Sequence, residues 1–143
     1  MKSFDRRSLR FSPLADRANR VKIDTSGPIR QPSQRALDIT SRLANLIQTS
    51  CKIRAGRVLA FGAHTIKNRM GPQIARLLET GCLTHCATNG AGIIHDWELA
   101  YQGETSEHVE ENVSVGKFGM WEETVRTLNL AICIGAFRGW GYG

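Results

Sequence analysis

Apolar residues recur along this chain in two rhythms. Ala36, Leu37, Ile39, Leu43, Ala44, Leu46 and Ile47 follow one another at helical spacing, and Ser33 stands where an N-cap belongs. The pattern predicts a helix over 34–50 whose stripe serves as core or subunit contact. Arg57, Val58, Leu59, Ala60 and Phe61 then form a short run, apolar on both faces and rich in β-formers, as in an interior parallel strand. Pro72 and Gly81 bracket a helix over 72–80 with Ile74, Leu77 and Leu78 on its inner face. A second strand-like run covers 83–87. A helix follows over 93–102 and ends at Gly103. Ser106 is placed to cap a fourth helix that stops at Gly116, with Glu107, Glu110 and Glu111 at its positive end. The fifth runs from 121 to 137. From Leu128 onward it is apolar nearly all round, which predicts burial on most sides.

The span from residue 57 to residue 88 has the length of one right-handed βαβ unit, about 30 residues. Parallel pairing of its strands would set residues 62–67 beside residues 88–92, at the carboxyl ends where open α/β sheets bind ligands. The expected fold class is therefore α/β, a Rossmann-like parallel sheet with flanking helices. Two firm strands are fewer than such a sheet usually has, so a truncated or partial version is expected. The fifth helix lacks partners of its own, which predicts a homo-oligomer.

The stretch with most chemical content is Thr88, Asn89, Gly90, Ala91 and Gly92, running on to His95 and Asp96. A strand that turns on glycines into a helix presents unpaired N–H groups and the positive end of a helix dipole. Both suit a phosphate, and the stretch reads as the pyrophosphate end of a dinucleotide site. It carries a Gly-x-Gly pair, with His95 in place of the third glycine of the common fingerprint. A plain βα turn that binds nothing would need the same two glycines.

Charge adds a division along the chain. The 143 residues carry a net charge of +6. Residues 1–35 hold nine Lys or Arg against three acids, so the excess belongs to the N-terminal stretch. Pro13, Pro28 and Pro32 mark residues 1–33 as a basic extended arm, with a possible short strand at 20–24. Phe4 and Phe11 are its only aromatics, so base stacking is poorly provided for and nucleic acid is not an expected partner. No run approaches the ~18 apolar residues of a membrane span, and the charged start is unlike a signal peptide. A cytoplasmic location is expected, with no membrane partner. There Cys51, Cys82, Cys86 and Cys133 would stay reduced. Cys82, His85 and Cys86 lie close in sequence, but on a strand His85 and Cys86 face opposite sides, so no metal is expected.

Gly62, Ala63, His64, Thr65, Ile66 and Lys67, together with the stretch from Thr88 to Ala100, resemble the deoxyhypusine synthase-like superfamily, in particular its bacterial members. Residues 103–107 and 116–124 strengthen the resemblance, which covers roughly residues 55–138. Similar cofactor domains occur in ornithine cyclodeaminase enzymes of the lysine-ketoglutarate reductase/saccharopine dehydrogenase-like group. The resemblance implies an NAD-binding Rossmann-like fold over 34–143, with NAD as cofactor and tetramers whose sites lie near subunit interfaces. It implies NAD contacts from Ala63, His64 and Thr65 in the first loop, and from Thr88, Asn89, Gly90, Ala91 and Gly92 in the second. Asp96 matches an acidic position shortly after. The lysine that forms an imine in the synthase has no counterpart, because Lys117 follows a glycine but comes too early in the order of elements.

The candidate catalytic residues are His95, Asp96 and His64. His64 would polarise a substrate or bond a phosphate. His95 and Asp96 are expected in the first turn of their helix, Asp96 accepting from a ribose hydroxyl, orienting His95 or serving as acid/base. Asp96 would equally serve there as a helix-end anion. Glu98 reads as support, and Trp97, Trp121 and Trp140 as packing. Two functions of different class follow: an NAD-dependent enzyme acting on a small-molecule amine or amino-acid substrate, and a non-catalytic remnant that binds a nucleotide or serves only in assembly.

Overall fold

Short strands alternate with helices through residues 5–23 and 31–141, the residues described by the computed structural model. In chain order the elements are β1 (Asn19–Lys22), α1 (Gln34–Lys52), β2 (Val58–Ala60), α2 (Ala63–Lys67) and α3 (Gly71–Glu79). Then come β3 (His85–Ala87), α4 (Gly90–Gln102), β4 (Glu104–Glu107), α5 (Val109–Ser114) and α6 (Glu122–Phe137). The protein is mixed α/β, and among the described residues there are two two-stranded sheets, β1–β4 and β2–β3. No described helix is long and apolar enough to cross a membrane.

The chain divides into two compact units, Ile23–Asp96 and a second made of Met1–Lys22 with Trp97–Gly143. Part of the basic arm belongs to the unit that contains β4, α5 and α6, and the reason is a set of specific bonds.

In the Ile23–Asp96 unit, the Ser33 hydroxyl accepts from the Ala36 N–H at 3.2 Å and starts α1 as expected. Pro72 sits in the first turn of α3. Gly81, at φ 71°, ends that helix and donates its N–H to the Leu78 carbonyl at 2.9 Å. β2 and β3 pair in parallel with Val58 opposite His85, Leu59 opposite Cys86 and Ala60 opposite Ala87. The expected pairing is present, but neither strand is interior: β3 is exposed along its length. Arg57, just before β2, fastens the unit. Its guanidinium donates to the carbonyls of Ser50 (3.3 Å), Gly81 (3.1 Å), Cys82 (3.2 Å) and Ala55. One side chain thereby holds the end of α1 against the turn that follows α3. The stripe on α1 is not buried, and Leu37, Ile39, Leu43 and Leu46 are exposed.

The other unit is organised by a buried ion pair. Arg17 donates two hydrogen bonds to Glu98, at 2.8 Å to Oε1 and 2.6 Å to Oε2, with both side chains almost wholly out of water. Thr124 donates to the first of these oxygens at 2.9 Å and Thr105 to the second at 2.6 Å. Each carboxylate oxygen thus accepts twice, which is its full capacity. The Arg17 guanidinium also lies over the Trp121 ring, 5.5 Å from its centroid, and its Nε donates to Asn19. Around this knot β1 pairs antiparallel with β4, Val21 opposite Thr105. Ser12 bonds Met120 and Glu122 through its backbone, and Leu14 is fully buried with its N–H on the Glu123 carboxylate at 2.6 Å.

These contacts correct two expectations. Ser106 does not cap a helix. It lies in β4 at φ 70°, and α5 begins after His108. Pairing with β1 takes residues 104–107 as strand. Glu107, the next residue, is pinned to the Trp121 indole at 2.9 Å, to Asn112 at 2.8 Å and to the Gly119 N–H at 3.0 Å. Tertiary bonds override the local capping preference. α6, in turn, is held at its start, where Trp121 and Thr124 are buried, while Leu130, Ile132, Ile134 and Phe137 are exposed. The expected burial of its apolar half is absent within one chain.

Arg17→Ala or Glu98→Ala leaves a charge buried without its partner and should cost about 3–5 kcal/mol of unfolding free energy, measured by urea titration. The paired change Arg17→Met with Glu98→Leu should recover much of that loss. Burial pushes the Glu98 carboxyl up. The hydrogen bonds from Arg17, Thr105 and Thr124 and the charge of Arg17 outweigh it, so the group titrates below the ordinary carboxylate range. Its stabilisation is therefore complete above the unfolded-state carboxyl value near ~4.3 and disappears as pH falls through the lowered folded value. A Glu98→Gln variant should show a shallower acid limb in a stability-versus-pH series.

Candidate functional site

The turns that leave β2 and β3 emerge side by side, because the parallel ladder continues to its last residues. The Phe61 N–H donates to the Ala87 carbonyl at 2.9 Å. Gly62 and Thr88 therefore leave the sheet together. A Cβ placed on Gly62 would lie 3.6 Å from the Asn89 side-chain nitrogen, so a side chain at 62 would fill the space between the two turns.

Residues 62–67 were expected as a loop. Instead Gly62 is the extended residue before α2, and Ala63, His64 and Thr65 form its first turn, with the Thr65 N–H on the Gly62 carbonyl at 3.2 Å. His64 is exposed, while Ala63, Thr65 and Lys67 are half-buried. The second turn is open to solvent: Thr88, Asn89, Gly90 and Ala91 are all exposed.

Asn89 has a role that the residue pattern did not suggest. Its Oδ1 accepts the Gly92 N–H at 3.0 Å, and its carbonyl accepts the Ile93 N–H at 3.2 Å. It is the N-cap of α4. An asparagine just before a helix is a recognised cap signal, here set inside a glycine turn. One of the amides expected to face a phosphate is thus already engaged. The amides of Gly90 and Ala91, in the first turn of α4, have no intrahelical acceptor by helix geometry.

Gly92 is glycine for a packing reason. It is buried, and a Cβ there would strike the hydroxyl oxygen of Thr88, four residues earlier in the turn from β3, so the first turn of α4 lies too close to that side chain for one of its own. The space that Gly92 leaves is taken up by the Thr88 side chain.

α4 begins at Gly90, which puts His95 and Asp96 in its second turn and not in its first. Asp96 is exposed and His95 half-buried. The helix-end effect falls off within one turn, so Asp96 is not an N-terminal anion. Glu98, two residues on, is committed to Arg17. All three tryptophans have protein partners. Trp97 stacks on Tyr101 with centroids 4.8 Å apart, Trp121 donates to Glu107, and Trp140 lies under Arg138 at 5.2 Å.

No protein-family model, curated protein or solved structure matches this chain.

Gly92→Ala should overpack the turn between β3 and α4 against Thr88 and cost about 1–3 kcal/mol of stability. Adding Thr88→Ala should recover most of the loss, whereas additive costs in a double-mutant cycle would show that Thr88 is not what Gly92 accommodates. Asn89→Ala, which removes the cap, should cost about 1 kcal/mol.

Proposed function

We propose that this is an NAD-binding protein of the deoxyhypusine synthase-like kind, whose β2–β3 pair is part of a Rossmann-like parallel sheet. The dinucleotide lies across the turns at 62–67 and 88–92. The reading is carried by one observation: two adjacent parallel strands send their carboxyl-end turns out side by side, and the second opens a thirteen-residue helix. That is where ligands of open α/β sheets bind. The pyrophosphate takes the Gly90 and Ala91 amides and the positive end of α4. Thr88 and Asn89 border it on one side, and Ala63, His64 and Thr65 on the other. His64, His95 and Asp96 supply the polar and proton-transferring groups toward a small-molecule amine or amino-acid substrate. Without an imine-forming lysine, the synthase's covalent step has no nucleophile here.

A second reading, assembly without catalysis, has its own support in the exposed apolar faces of α1 and α6. Faces of this kind mark contact surfaces. On either reading the protein is a homo-oligomer working in the cytoplasm.

Asn89→Asp tests the nucleotide reading without disturbing the cap, since aspartate caps a helix as well as asparagine does. It puts a negative charge beside the proposed pyrophosphate. Affinity for NAD by calorimetry should fall at least tenfold, about 1.4 kcal/mol, with the melting temperature unchanged. A folded parent that binds no NAD at millimolar concentration would sink the proposal, as would an Asn89→Asp variant that binds equally well. Sedimentation should show an oligomer; a cooperative, well-folded monomer would remove the assembly reading.

A further inference from the structure

Two of the four free cysteines are brought near each other by a device already described. Cys51 lies in the last turn of α1 and is exposed, and its Sγ is 3.9 Å from the Gly81 carbonyl oxygen, thirty residues away in sequence. A carbonyl oxygen is about 2.8 Å from the next Cα, so the Cys51 sulfur lies within about 6.7 Å of the Cys82 Cα. The approach is enforced. The Arg57 guanidinium bonds the Ser50 carbonyl on one side and the Gly81 and Cys82 carbonyls on the other. Cys51 and Cys82 follow directly on two of these anchored residues. Cys133 belongs to the other unit, and Cys86 is carried on β3.

We propose that Cys51 and Cys82 are a thiol–disulfide exchange site that reacts with low-molecular-weight disulfides and closes into a reversible staple between α1 and the turn after α3. The order of events follows exposure. Cys51 is exposed and Cys82 half-buried, so the Cys51 thiolate attacks the external disulfide. The external S–S bond breaks, one small thiol leaves with a proton, and the other half stays on Cys51 as a mixed disulfide. The Cys82 thiolate then attacks the Cys51 sulfur and releases the second small thiol. Two protein thiols have lost two electrons and two protons, and the external disulfide has become two thiols. In a reducing compartment the pair stays open, and it closes when the external disulfide accumulates. Closure ties the end of α1 down covalently, in addition to the Arg57 clasp.

The test uses the full chain and oxidised glutathione. After acid quenching, alkylation and digestion, mass spectrometry should find the Cys51–Cys82 link at least tenfold enriched over every other pairing. The same treatment in urea should abolish that enrichment. Cys82→Ser should halt at a glutathione adduct on Cys51. The oxidised parent should melt several degrees higher than the reduced one. A dominant Cys82–Cys86 link, adducts without any internal link, or equal yields in the folded and unfolded chain would each overturn the proposal.

Discussion

An arginine taken out of water needs an anion and several acceptors close by, or it stays outside. Arg17 is inside because Glu98 meets it with both oxygens while Thr105 and Thr124 complete the carboxylate. The four residues come from four separate segments of the chain. Satisfying one charge therefore fixes where the turn at Leu14–Asp16, the second half of α4, β4 and the start of α6 lie within their unit. A core of hydrocarbon alone tolerates some sliding. A fully bonded carboxylate does not, because any shift leaves a buried donor or acceptor unmet. Few apolar side chains in this unit are buried, Leu14 and Trp121 among them, so the polar knot supplies much of its definition.

What the residues announced in advance was local. Ser33 as a cap and the Pro72–Gly81 bracket are decided within a few positions, and each was readable. So was the β2–β3 pairing, because two apolar runs at the spacing of one crossover leave little choice of partner. What escaped notice was non-local. Glu98 lies on α4 at a position that looks like any solvated glutamate, and its partner is 81 residues away. Ser106 has the makings of a helix cap, yet β1 claims its neighbours for a sheet. Asn89 was readable in principle, as a cap residue at a helix start, but its glycine neighbours suit a phosphate turn equally well.

The candidate site shows the same division. Its position follows from strand direction, which the pattern revealed. Its fine structure follows from close contacts that no pattern reports, such as the meeting of Gly92 with Thr88 and the capture of the Gly92 amide by Asn89. The helix start offers an anion fewer donors than a bare Gly-x-Gly reading would count. Any ligand seated there is held by the first two amides and the dipole more than by a full cradle.

The bonding of residues 12–22 to residues 98–124 has a consequence for how the chain is made. Everything in the Ile23–Asp96 unit leaves the ribosome before Glu98 does. At about 5–20 residues per second, Arg17 waits on the order of 4–16 s for its carboxylate. During that interval it stays hydrated, and Leu14 has no pocket to enter. Residues 12–22 are thus translated before the Ile23–Asp96 unit and acquire their structure after it, and a pause in synthesis between Arg17 and Glu98 lengthens the time they spend open to proteases and chaperones.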